Sequence, residues 1–166
     1  MVNNFLRTNV PHIWAAGDIT GPFLFTYVAW QQGEAAAINA TGDQLKELNY
    51  QVLPRATYCD PEIASVGLTE KQARDNGSKV SIGRYDYARL TRAIVTGETT
   101  GFIKIVADSE SGRILGAHII GSGASDLIHE AATAMAAKMT VSEVGEVFHA
   151  YPTFSEGFRY ACQEVH

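Results

Sequence analysis

Cysteine is nearly absent from this chain. Of its 166 residues only Cys59 and Cys162 are cysteines, with no Cys-x-x-Cys pairing. That spacing excludes a disulphide framework and a thiolate metal knuckle, and leaves two isolated, reduced thiols. Basic clusters are missing too. Thirteen Lys and Arg stand against 18 Asp and Glu for a net charge of −5, which argues against nucleic acid as a partner. No apolar run approaches the roughly 20 residues of a membrane-spanning helix. The start, Met1-Val-Asn-Asn, lacks the cationic and apolar layout of a signal peptide, so a cytoplasmic protein with no membrane partner is expected. His129-Glu130 has no second ligand pair at metal spacing, and no metal is assigned. The Gly-x-Gly at Gly121-Ser-Gly123 lacks the third glycine of a dinucleotide fingerprint and reads as a tight turn.

What is present is an ordinary globular balance, 46% apolar and 19% charged, in a chain long enough for one core or one core with an appendage. Thr8 to Asp18 is a short apolar run ending Gly17-Asp18, and a helical pattern follows from Phe23 to Ala40 with Gly42 as its cap. Strand-Gly-Asp-helix is either a bare structural turn or a place where a carboxylate stands beside a helix N-terminus, ready for an electron-rich ligand. Asp43 to Pro54 is read as a linker. Two short strands bent at Asp60-Pro61 come next, then a helix of about two turns from Thr69 to Gly77 and a half-buried strand over Lys79–Asp86. Arg89-Leu-Thr-Arg-Ala93 reads as a connector whose basic side chains are solvated rather than functional. Gly101–Ala107 and Arg113–Ile120 flank an Asp/Ser/Gly turn and form a hairpin, with His118 packed or at an edge. An alanine-rich helix over Leu127–Lys138 and a short one capped by Thr140 lead to the last feature.

That feature is His149-Ala-Tyr-Pro-Thr-Phe-Ser-Glu-Gly-Phe158. Pro152 fixes its own φ and keeps Tyr151 extended, so the chain turns before Ser155 and Glu156 open a helix. A phenol before the proline and a carboxylate four residues after it can face one another, as an acid/base group and its orienting partner do. His149 lies on the side of Tyr151 if the segment is extended. It is therefore read either as a substitute base or as a helix-end or surface histidine. Phe154, Phe158, Tyr160 and Val165 on the terminal helix either pack internally or expose a face for a second copy. Cys162, on the same helical pattern, is read as packing.

Three strings resemble the class I pyridine nucleotide-disulphide oxidoreductases, flavoenzymes of the dihydrolipoamide dehydrogenase and mercuric reductase kind. Ala15, Gly17 and Asp18 with Gly33, Ala36 and Ala37 match that family's last flavin motif. Asp60-Pro-Glu-Ile-Ala-Ser-Val-Gly-Leu-Thr-Glu70 matches the entry to its interface domain, and Tyr-Pro-Thr-Phe-Ser-Glu156 matches its closing signature. The resemblance implies an α+β fold: an antiparallel β-sheet with helices packed on it over residues 50–166 as the dimerisation domain, preceded over 1–45 by the tail of an FAD-binding domain. It implies that Gly17 and Asp18 hold the flavin ribityl chain while Phe25 and Thr26 face the isoalloxazine, and that Tyr151 and Glu156 occupy the catalytic turn of a homodimer. It implies FAD as cofactor and NAD(P)H as substrate of a longer parent flavoprotein, with electrons leaving to a disulphide, a metal ion or another acceptor. The chain departs from the family where the catalytic histidine falls on Tyr151. It also lacks both Gly-x-Gly-x-x-Gly motifs and the redox Cys-x-x-x-x-Cys. By itself it is therefore expected to be inactive. The alternative is a stand-alone α+β homodimerisation module without catalysis.

Overall fold

Alternation of side chains decides the sheet. In the computed structural model, which describes residues 1–42 and 44–166, β1 (Arg55–Thr57), β2 (Ile63–Gly67), β3 (Val80–Asp86), β4 (Phe102–Asp108) and β5 (Ile114–Ile120) form one antiparallel sheet in the order β1-β2-β5-β4-β3. Cross-strand partners share a face. Ile103 pairs with Ile119 and Ile105 with Ala117 between β4 and β5, while Ala64 and Val66 of β2 pair with Ile119 and Ala117. All six are buried. The next residues along, Lys104, His118 and Ser65, are also paired in register and point the other way.

Helices cover the apolar face. α4 (Ala124–Ala136) packs on β5 and β2, and α6 (Glu156–Gln163) on β3 and β4. Alanines 124, 131 and 134 let α4 lie close to the strands. On α6, Phe158, Ala161 and Cys162 recur at helical spacing and fill the core. Gly83 makes room for α6, since a Cβ there would collide with the Ala161 carbonyl oxygen. The short helices α2 (Glu70–Asp75) and α5 (Val141–Glu146) each begin with a complete capping box, Thr69 with Gln72 and Thr140 with Glu143.

The chain divides into two compact units, Met1–Tyr50 and Gln51–His166, and the sheet belongs to the second. The first is organised on α1 (Thr26–Thr41). The run from Thr8 to Asp18 does not become a sheet strand. A strand is defined by its ladder, and among the described residues this stretch has the single Arg7–Trp14 bridge. Gly42 caps α1 through its N–H to the Ile38 carbonyl, yet its backbone is extended rather than left-handed. The linker expected over Asp43 to Pro54 starts at a residue outside those described, and its part up to Tyr50 is not loose. Asn39 donates to the Phe5 and Lys46 carbonyls and accepts from the Lys46 N–H, while the Tyr50 ring stacks on Phe23.

One further expectation changes, and one left open is decided. Arg89 to Ala93, expected as a connector, is a 3-10 turn (Tyr87–Arg89) and the helix α3 (Thr91–Thr96), because Leu90 and Ala93 are drawn into the core, while the basic side chains Arg89 and Arg92 are exposed as expected. Arg89 itself pairs with Glu164 at 2.7 Å and lies over the Tyr85 ring. The terminal-helix aromatics do not form an exposed face: Phe158 is fully buried, and Phe154, Tyr160 and Val165 pack against the core. An eight-residue helix lying on a sheet spends its apolar side there. Exposed apolar side chains of this unit sit elsewhere, among them Tyr58, Ile94, Val95, Phe148 and Tyr151.

Candidate functional site

The first unit brings Gly17 and Asp18 against the opening turns of α1. Gly17 takes φ +83°, a conformation glycine adopts without strain, and a Cβ on it would lie 3.5 Å from the Ala29 side chain. The buried amide of Gln32 fixes this turn. Its Oε1 accepts from the Gly17 N–H at 2.8 Å and the Thr20 hydroxyl at 3.0 Å, and its Nε2 donates to the Tyr50 hydroxyl. Asp18 opens a one-turn 3-10 helix with its side chain exposed. Phe25 is the extended N-cap of α1 and makes no side-chain cap, and Thr26 is the first helical residue. The first N–H groups of a 16-residue helix thus lack an intrahelical partner, and the dipole puts partial positive charge there. Exposed Ile19, Leu24 and Trp30 belong to the same unit. Hydroxyls suit the carboxylate, and an electron-rich ring edge suits the helix end.

The second unit carries the proline turn between α5 and α6. Tyr151–Pro152 is a cis peptide, and Thr153 closes the turn by donating from its hydroxyl to the Ala150 carbonyl at 2.7 Å. Glu156, the first residue of α6, is buried at 5% exposure. Both its oxygens are engaged: Oε2 accepts the Thr153 N–H at 3.0 Å and Oε1 accepts the Tyr160 hydroxyl at 3.1 Å. The hydrogen bond to Glu156 is the main reason the Tyr160 phenol is held above its ordinary pKa, with burial adding to it. Tyr151 is 70% exposed, and its hydroxyl donates to Thr91 of α3 at 3.2 Å. The carboxylate thus meets Tyr160, one helical turn on, while the residue before the proline meets α3.

His149 is neither a surface histidine nor an open base. Its side chain is 5% exposed; Nε2 lies 2.6 Å from Glu130 Oε1 of α4, and Nδ1 lies 2.9 Å from the Val147 carbonyl oxygen. Cys162 is buried near the same carboxylate. Burial first, then the charge of Glu130, pushes its thiol up to about 12, which keeps it protonated and unreactive. Tyr160 stands four residues from Glu156 on one helix, a spacing that the sequence displays. Glu130 and Thr91 could not be found that way, being 19 and 60 residues from their partners. Among the described residues no His, Cys, Asp and Glu group is arranged to hold a metal, and no helix is long and apolar enough to cross a membrane.

Comparison with known proteins matches residues 53–162 to the family described as pyridine nucleotide-disulphide oxidoreductase, dimerisation domain. Dihydrolipoyl dehydrogenase of Mycobacterium leprae (strain TN) is 39% identical over 159 residues, covering 95% of this chain and 34% of that protein. Mercuric reductase of Streptomyces lividans is 38% identical over 163 residues, covering 98% of this chain and 34% of that protein. The HOCl-induced flavoprotein disulfide reductase RclA from Escherichia coli superposes with a TM-score of 0.91 at 26% identity, over 98% of this chain and 38% of that one. The chain spans about a third of the length of the curated relatives it matches. The five-stranded antiparallel sheet with its helices is the fold of such a dimerisation domain.

Proposed function

The chain belongs to the pyridine nucleotide-disulphide oxidoreductase family through its dimerisation domain, and we propose that it is the C-terminal portion of a homodimeric, FAD-dependent NAD(P)H oxidoreductase. In this reading residues 1–45 are the tail of the FAD-binding domain and 50–166 the dimerisation domain. The residues that would hold flavin are Gly17, Asp18, Phe25 and Thr26. Support comes from an exposed carboxylate on a turn pinned to α1 by Gln32, and from a helix N-terminus without a side-chain cap. Bound flavin would supply the relay from nicotinamide to acceptor. The reaction is that of the longer protein, in the cytoplasm. Among the apolar side chains of the second unit, Ile94, Val95, Phe148 and Tyr151 stand exposed, as a surface for a second copy requires.

The observation that carries the reading is the turn itself: a buried Glu156 at the head of α6 with both oxygens bonded, and an exposed Tyr151 ahead of the proline. Tyr151 presents a hydroxyl to whatever lies against the turn. Glu156 holds Thr153 and Tyr160 in place and takes no substrate proton. A phenol titrates near pH 10 and an imidazole at about 6.5, so at neutral pH a tyrosine is a poor base for a dithiol. We therefore assign the acceptor to a class that needs no base from this turn, such as a metal ion, rather than a dithiol. The experiment is Tyr151→His in the full-length protein, with turnover measured on a dithiol substrate and on a metal-ion acceptor. Dithiol turnover is expected to rise by about a hundredfold, the low end of general-base contributions. No gain would remove Tyr151 as the discriminating residue.

A further inference from the structure

The His149–Glu130 contact has a proton count that settles what it can do. A backbone carbonyl is only an acceptor, and so is an ionised carboxylate, while a neutral imidazole carries one N–H. Both ring nitrogens of His149 nonetheless sit at hydrogen-bond distance from such acceptors, the Val147 carbonyl at 2.9 Å and Glu130 at 2.6 Å. The two bonds exist together only if the pair holds one additional proton, on the ring or on the carboxyl. Either way the pair is neutral overall, which suits a histidine side chain 5% exposed. The contact at 2.6 Å lies just below the roughly 2.7–2.9 Å usual for a charge-assisted N–H···O bond. From α6 the titratable group beside the pair is Cys162, a thiol that stays protonated. No ring nitrogen of His149 is left for a substrate.

The place of this pair in the chain gives it a consequence. His149 lies two residues before Tyr151, in the nine-residue stretch from Val147 to Ser155 that contains no helix or strand. The stretch is anchored at its far end by Glu156 on Thr153, and at its near end by His149, which grips the preceding carbonyl and the side of α4 at once. We propose that His149 and Glu130 form a proton-sharing strut that positions the proline turn, so that the direction in which Tyr151 projects is set from α4 and not by the proline alone. His149 is thereby a positioning residue. Its role rests on the reading of the turn as part of the reaction site.

Two substitutions at Glu130 separate geometry from charge. In Glu130→Gln the carboxamide N–H donates to Nε2 while Nδ1–H keeps the Val147 carbonyl, so both bonds survive with a neutral ring and no shared proton. In Glu130→Ala the Nε2 partner is gone. The full-length protein would carry each change, and amide exchange would be followed at Val147 and Thr153, the hydrogen-bonded N–H groups that bracket the segment. The strut predicts exchange about tenfold faster at both in Glu130→Ala and about equal to the parent in Glu130→Gln, with kcat falling in Ala and rescued in Gln. Unchanged exchange in Glu130→Ala, or equal loosening in both variants, would overturn the strut. Faster exchange with unchanged kcat, where Tyr151→His does alter turnover, would overturn the positioning role alone. If neither Glu130→Ala nor Tyr151→His moves turnover, the reading of the turn as a reaction site falls, and the positioning role with it.

Discussion

The two units are held together by different chemistry. In Gln51–His166 the interior is nearly all apolar: Ile103, Ile105, Ile119, Ile128 and Phe158 are fully buried between a five-stranded ladder and two helices. In Met1–Tyr50 the buried set among the described residues is Leu6, Val28, Ala35 and two amides, Gln32 and Asn39. Those amides do the work of a sheet, each tying segments without regular structure to one helix through three hydrogen bonds. An apolar core tolerates small shifts because burial is non-directional. A unit organised by two amides has its loops placed to hydrogen-bond precision, and it loses that placement when one amide is lost. The candidate flavin turn is in the amide-held unit; the proline turn is in the apolar one.

The largest effect expected from breaking this contrast is Phe158→Ala. It empties a fully buried ring position, costs about 3–5 kcal/mol, and should appear as a large drop in the denaturation midpoint of the second unit. A change below about 1 kcal/mol would mean that α6 is not an integral part of that core. Next comes Asn39→Ala. It leaves the Lys46 N–H and the Phe5 and Lys46 carbonyls without their partner; the expected cost is about 1–3 kcal/mol, confined to the first unit and read by amide exchange at Lys46. Equal loosening in both units would erase the distinction drawn here. The smallest effect is on the polar face of the sheet. His118 is pushed below its ordinary pKa, chiefly by burial and then by Lys104 and Arg55, against the opposing pull of the Leu68 carbonyl. Between the lowered folded value and the unfolded value of about 6.5, the unfolded chain binds more protons, so stability falls as the pH drops through that window. His118→Gln should flatten the melting temperature between about pH 7.5 and pH 5.5. An unchanged slope would assign the acid sensitivity to another group.

Local features were legible in the sequence, and contacts between distant segments were not. The hairpin around Asp108–Gly112, the caps at Thr69 and Thr140, and the bend at Pro61 are each written within a few residues. So was the turn at Pro152, along with the burial of Cys162. The inward orientation of α6 was not legible, because eight residues with aromatics on several sides do not say which side meets a sheet. Tyr160 as the partner of Glu156 was visible in the spacing but was outweighed by the proline signature. His149 with Glu130 and Gln32 with Gly17 needed the fold to bring them together, and in each case a short polar side chain meets a group that no periodicity marks.

Gly83 has an effect well away from its own strand. The side chain it lacks is the space that the Ala161 backbone occupies. Any larger residue there would act as a wedge under the C-terminal end of α6, where the Ala161 carbonyl and Val165 lie. Drift at a position in the third strand, harmless to the ladder itself, would therefore be felt in the seating of the last helix, which makes the absence of one methyl group part of how the chain's end is held on the sheet.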